Sequence, residues 1–269
     1  MGAPTANCAN VMHRYIEACS AGTREIDEGY FALNLGGRGR CVILCDHASN
    51  HVPEDLGTLG LTPSDLERAI AYDIGAACVA EMLSLRLDAP VVSTTTSRLV
   101  IDSNRPIGSP ESIPTYSEDT DVPGNRSLSE DERARRADAY FWPYHQRIQE
   151  LLDERERHGL ESWIICLHSF TPVFAGVPRR WHVGFTYDRE TALAKALIST
   201  FSGEDDLVVG DNEPYPIDAD GDYSLPVHSE ARGLPGVLIE IRQDLIKESR
   251  GARRWANRLG AALASAKIR

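Results

Sequence analysis

No stretch of the 269 residues approaches the roughly 20 consecutive apolar positions of a membrane span, so none is expected. Met1 to Ala21 lacks a long apolar core, which argues against a signal peptide. Basic residues are few beside acidic ones, 28 against 40, for a net charge of -12. A nucleic-acid binder would show a basic patch instead. A local arginine cluster can still outweigh the global sign for a small substrate. The six cysteines, Cys8, Cys19, Cys41, Cys45, Cys78 and Cys166, include no CxxC pair. Three of them, Cys41, Cys45 and Cys166, lie in apolar runs, where cysteine acts as a small hydrophobe. All six read as reduced thiols of a cytosolic protein. Also absent are a glycine-rich phosphate loop and, around Ser169, the GxSxG setting of a nucleophile elbow. No repeat or low-complexity linker divides the chain. Its 42% hydrophobic and 25% charged content is ordinary for a globular protein.

Three apolar runs of strand length end in reactive side chains. Cys41-Val-Ile-Leu-Cys45 runs into Asp46-His47, Trp163-Ile-Ile-Cys-Leu167 into His168-Ser169, and Gly236-Val-Leu-Ile239 into Glu240-Ile-Arg242. Continuous apolar runs mark buried parallel strands. Ligands of open α/β sheets bind beyond the carboxyl ends of such strands. Two histidines and a glutamate at three strand ends therefore suggest one site, and histidine with carboxylate is a catalytic zinc set.

The rest of the chain reads as one α/β domain, 1–269, with an N-terminal extension over 1–39 that is helical around 7–34. Thr62 and Pro63 open a helix over 64–86 as N-cap and first residue. Pro90 to Thr96 is β-branched and strand-like, and Leu99–Ile101 reads as a further short strand. The irregular segment 106–128 is long enough to be either functional or disordered. A helix over about 129–157 starts at a capping-box-like Ser129 and kinks at Pro143. A strand at Trp181–Thr186, a helix over 189–201, a turn-rich loop over 211–226 and a helix over 248–266 complete it.

A third zinc ligand is needed, and Asp46, Glu54, Asp55 and Asp73 are the nearby carboxylates. Asp73 lies among apolar residues, where an unpaired charge is costly. Arg98, Asp102, Asn104 and Arg105 flank the apolar Leu99–Ile101. Arginine grips a carboxylate with two parallel bonds and Asn adds a donor. Glu240, inside a buried run, is a ligand, a general base, or the ion-pair partner of Arg242 on its own strand face. His145, after the Pro143 kink, is aimed at a site or simply packs. His228 lies in a loop within reach of a substrate.

Asp46-His47-Ala-Ser-Asn50, Asp73, Arg98, Asp102-Ser-Asn104-Arg105, Pro143-Tyr144-His145, Leu167-His168-Ser169 and Ile239-Glu240-Ile-Arg242 together resemble the N-formylglutamate amidohydrolase family, itself similar to zinc carboxypeptidases and aspartoacylases. The resemblance runs over about residues 41–246. It implies a three-layer α/β/α sandwich with a mixed, mostly parallel sheet. It also implies zinc-dependent hydrolysis of the N-acyl amide of a small carboxylate-bearing amino acid such as N-formylglutamate. By the same resemblance His47 and His168 are zinc ligands, with Asp73 favoured as the third and Glu54 as fallback. Glu240 is the general base and acid, and Arg98 polarises the carbonyl. Asn104 and Arg105 hold the substrate carboxylate, with His145, His228 and Arg242 as further substrate contacts. The chain departs from the related carboxypeptidases at Asn50, where they carry Glu. It departs from typical relatives in Ala-Ser-Asn-His after His47. A deacylase or carboxypeptidase for larger substrates, and an inactive carboxylate-binding relative, are the competing readings.

Overall fold

The computed structural model describes residues 24–268. Its centre is an eight-stranded sheet. The strands are β1 (Arg24–Ile26), β2 (Tyr30–Leu33), β3 (Cys41–Cys45), β4 (Val91–Thr94), β5 (Trp163–Phe170), β6 (Val183–Thr186), β7 (Val209–Asp211) and β8 (Gly236–Arg242). Their spatial order is β1-β2-β4-β3-β5-β8-β6-β7. β4, β3, β5 and β8 run parallel and form the middle, while β2 and β6 join it antiparallel. The sheet is mixed and mostly parallel, as the resemblance implies.

Side chains alternate between the two faces of a strand, and the core divides accordingly. Cys41, Ile43, Ile165, Leu167, Val237 and Ile239 pack on one face against helices Ala76–Leu87, Ala192–Phe201 and Ser249–Ser265. Val42, Leu44, Ile164, Cys166 and Leu238 pack on the other against helix Trp142–Arg157. Continuing the second series by two residues reaches Asp46, His168 and Glu240. All three therefore project from one face, at the carboxyl ends of neighbouring parallel strands. A third apolar cluster lies beside the sheet. Leu99, Val100 and Ile101 pack there with Leu59, Ile70, Val122 and Phe141, under the loops that cover the strand ends.

Several expectations need correction. Within the described part of the N-terminal extension, 24–33 is not helical. It is the β1–β2 hairpin, with Ile26 opposite Phe31; residues 1–23 lie outside the described residues. The helix expected over 64–86 is two pieces, Pro63–Leu66 with its Thr62 cap and Ala76–Leu87. Between them Gly75 adopts a left-handed φ of 85°, and a Cβ there would meet the Ile246 carbonyl oxygen at 2.5 Å. Only glycine fits that turn. Leu99–Ile101 forms turns, not a strand: its backbone bonds go to Ser97, Asn125 and Arg136 rather than to the sheet, and its side chains pack in the third cluster. The helix expected over 129–157 with a kink at Pro143 is instead three successive helical pieces, with Pro143 in the first turn of the last. Residues Ala137–Phe141 make a π-helical turn that absorbs the missing amide just before Trp142–Arg157 begins. Among the described residues no helix is long and apolar enough to cross a membrane, and Cys41, Cys45, Cys78 and Cys166 are buried free thiols.

Candidate functional site

The break before Gly75 decides the geometry. It turns Asp73 out of the helix and lets its amide donate to the His47 carbonyl at 2.9 Å. Strand β5 brings His168, and the end of β3 brings His47. The two imidazole centres are 4.8 Å apart, edge to face. Each ring is gripped from behind. His47 Nε2 meets Asp102 Oδ1 at 2.7 Å, and His168 Nε2 meets Asp46 Oδ2 at 3.0 Å. Both Nδ1 atoms then face the same oxygen, Asp73 Oδ2, at 3.4 Å for His47 and 2.9 Å for His168.

The gripping carboxylates are themselves held. Asp46 accepts from the Tyr144 hydroxyl at 2.8 Å and the Ser224 hydroxyl at 2.6 Å. Asp102 accepts from Arg98 Nη2 at 2.8 Å and from the Asn104 amide at 2.9 Å. Burial alone would push the two histidines down, but their carboxylate partners outweigh it and raise both. Burial likewise would raise Asp46 and Asp73, and the histidines outweigh it and hold both low. The cluster is thus an anionic cradle that draws positive charge.

The donor set fits a divalent cation. One ligand atom each from His47, Asp73 and His168 lies within 4.8 Å of the others. Atoms sharing a zinc at about 2 Å sit at most about 4 Å apart, so a closure of about 1 Å suffices. His47 Nδ1 is buried without a hydrogen-bond partner, 3.4 Å from Asp73 Oδ2 in the cradle. A carboxylate behind each ligating imidazole is the usual outer support of such sites. Glu54 is exposed and outside the cluster, so the fallback ligand is ruled out by position.

Glu240 stands directly across from His168 in the β8–β5 register. It is 7% exposed, and its Oε2 has no hydrogen-bond partner. Burial pushes its carboxyl up to about 7, against the pull of the nearby histidines and Arg98. Arg242 does not neutralise it. The chain turns after β8, and the Arg242 guanidinium bonds Asp244 and the carbonyls of Arg179 and Trp181.

A pocket of about 510 Å³ opens over this group, lined by His47, Asp73, Arg98, Asn104, Arg105, His168 and Glu240 among others. Segment 106–128 contributes Glu111, Pro114, Tyr116 and Glu118 to its wall. Asn104 and Arg105 reach the pocket but are engaged. Asp222 Oδ1 accepts from Asn104 Nδ2 at 3.0 Å and from Arg105 Nη1 at 2.6 Å, and Glu111 takes Arg105 Nε at 2.9 Å. Three expected substrate contacts, His145, His228 and Arg242, are not brought to the pocket lining. His145 is buried behind it, donating from Nε2 to the Ser103 carbonyl at 2.9 Å and facing His228 Nε2 across 2.9 Å from Nδ1. The pair props the turn that carries Asn104 and Arg105.

Sequence reading passed over Asp222 and Ser224, whose loop looked merely turn-rich, and Asp46 as a prop rather than a ligand. The alternation that places Asp46 with His168 and Glu240 was the available signal. Asp222 had none, because its partners are more than 100 residues away in the chain.

A mostly parallel sheet with imidazoles, carboxylates and a buried glutamate at its strand ends is the layout of a hydrolytic α/β enzyme. The N-formylglutamate amidohydrolase family matches residues 39–247, and the chain belongs to that family of amide hydrolases. Among solved structures, a gene product of Agrobacterium tumefaciens is 36% identical, with 88% of this chain and 94% of that one covered and a TM-score of 0.86. An N-formylglutamate amidohydrolase from Ralstonia eutropha shares the fold at 19% identity, covering 90% of this chain and 95% of that one, with a TM-score of 0.61. No curated protein matches.

Proposed function

We propose that this chain is a zinc-dependent hydrolase that removes the acyl group, formyl in the first instance, from the amide nitrogen of a small amino acid bearing a free carboxylate. The observation that carries the reading is the convergence of His47, Asp73 and His168 beside a buried, unpartnered Glu240 carboxylate oxygen. Zinc held by those three residues supplies Lewis acidity, which lowers the pKa of water toward about 7 and polarises a carbonyl. Glu240, with a pKa near 7, is matched to take a proton from the attacking water and return it to the leaving amine. Arg98 keeps its Nε and Nη2 on Asp102. Its Nη1 stands 3.6 Å from Asp73 Oδ1, beyond a hydrogen bond, and is the donor left for the developing oxyanion. Asn104 and Arg105 form the carboxylate-binding wall, and a substrate carboxylate displaces Asp222 from Arg105. Fixing the substrate at two ends supplies rate by proximity.

The test is a hydrolysis screen of N-formyl, N-acetyl and N-carbamoyl amino acids against zinc-loaded and chelator-treated protein. Turnover of an N-formyl amino acid that zinc restores is the expected result. Zinc-independent turnover, or none with any acyl amino acid, would overturn it. Exposed aromatic side chains at the pocket wall, Tyr116 and Phe174, favour a bulkier acyl group as the second reading. Preference for long acyl chains in the same screen would select it.

A further inference from the structure

Taking the hydrolase reading for the scissile bond, we propose that Arg179, together with Thr171, reads a second anionic group on the substrate, a carboxylate on the amino-acid side chain. Arg179 is nine-tenths buried, and its Nη1 has no hydrogen-bond partner. The two arginines that line the pocket already carry carboxylates, Arg98 those of Asp102 and Asp73 and Arg105 those of Asp222 and Glu111. Aromatic rings hold the Arg179 guanidinium instead. Its carbon lies 4.5 Å from the Phe174 ring centre and 4.6 Å from that of Tyr215, whose hydroxyl accepts from Nη2. Such rings offset part of the burial of a cation. They do not satisfy a guanidinium's donors, and a buried donor without an acceptor is costly.

Thr171 Oγ1 is a second buried, unpartnered polar atom in the same turn. It lines the pocket, as do Phe170, Phe174 and Tyr215 around the guanidinium. The turn is fixed from both sides. Arg179 donates its amide to the Pro172 carbonyl at 2.8 Å and accepts from Arg242 Nη1 at 3.3 Å. Phe170 lies opposite Arg242 in the register, two residues beyond the His168–Glu240 pair. Two residues of strand are about 7 Å, a distance that an acidic side chain and a guanidinium fork span together. Phe174 belongs to a short exposed hairpin, Val173–Phe174 paired with Val177–Pro178. Its ring lines the pocket and lies against the guanidinium. An incoming carboxylate accepts from Nη1 and from the Thr171 hydroxyl.

The experiment compares L-glutamate with L-glutamine by calorimetric titration of the zinc-loaded protein, and N-formyl-L-glutamate with N-formyl-L-glutamine in hydrolysis. Wild type should favour the acid about 10- to 100-fold in both, the scale of a hydrogen bond to a charged group. Arg179→Met should bring both ratios to about one. Arg179→Lys, which keeps the charge and loses the fork, should retain part of the preference. Arg180→Met, on the exposed neighbour, should retain all of it. A wild type that binds neither acid, or both alike, or a preference that survives Arg179→Met, overturns the proposal. If hydrolysis is absent while an Arg179-dependent preference for glutamate persists in binding, the hydrolase reading falls and the anion site stands.

Discussion

Glu240→Gln should make the metal-free protein more stable and the loaded protein inactive. In the fold the Glu240 carboxyl is pushed from 4.5 to about 7, chiefly by burial. The unfolded chain releases that proton near 4.5, and the folded protein keeps it until about 7. Stability is therefore lost as pH rises through that window, and the full loss is felt above it. At about 1.36 kcal/mol per tenfold change in proton affinity, the loss comes to about 3 kcal/mol. Gln keeps the volume and cannot ionise, so the variant escapes the loss at pH 8 and gains nothing at pH 4. For a chain of this size about 2–4 °C accompanies each kcal/mol, so a rise in Tm of roughly 6–12 °C is expected at pH 8. Thermal melts of chelator-treated protein at both pH values measure it. Turnover of the zinc-loaded variant should fall at least about a hundredfold, the usual scale for general acid–base work. An unchanged Tm at pH 8 would show that the carboxylate is not strained by burial. Undiminished turnover would remove Glu240 from the chemistry.

Asp102→Asn should weaken zinc binding by about 10–100-fold, as loss of an outer support does, and Asp73→Ala should weaken it more; competition with a chromophoric chelator ranks the two, and unchanged affinity in Asp73→Ala would reject that residue as a ligand. Burial pushes His145 from 6.5 down to about 4 and His228 down to about 3. The unfolded chain takes up those protons first as pH falls below 6.5, so the pair should withdraw about 2 kcal/mol each by pH 5. Urea unfolding at pH 7 and pH 5 reads this, and His228→Gln should narrow the difference. Asp222→Asn should lower KM for N-acyl amino acids by freeing Arg105, with little change in kcat. Arg105→Lys should weaken their binding by about 1.5–3 kcal/mol and leave the corresponding amides nearly untouched; equal effects on acids and amides in steady-state kinetics would make Arg105 structural.

The centre of the fold was legible because its strands are buried on both faces and so read as unbroken apolar runs. The same runs marked where His47, His168 and Glu240 emerge. Asp73 was visible as an unusual residue, but not as the product of a broken helix. The break depends on Gly75 meeting Ile246, a contact no local pattern records. Tyr30–Leu33 was misread because a four-residue, all-apolar strand has no period to distinguish it from a buried helix turn. Arg242 shares a face with Glu240 by strand spacing, yet the 3-10 turn Gln243–Leu245 presents Asp244 to it first. The grip of Asp222 on Arg105 and the aromatic setting of Arg179 arise only when distant loops meet, and composition carries no trace of either.

The pocket is built across a seam between two apolar clusters. His168 and Glu240 ride on the sheet, whereas Arg98, Asp102 and Asn104 adjoin the third cluster, whose buried Leu99–Ile101 anchor packs against loops and the helical turn Ala137–Phe141. Cooperative units of unequal stability open separately, and a cluster built mostly of loops and turns is the weaker unit beside an eight-stranded sheet. Local melting of that cluster would carry off the arginine wall and the Asp102 grip on His47 while the strands stay paired. Inactivation by heat or mild denaturant should thus precede loss of the sheet, with amide exchange in 97–125 rising before exchange in the strands.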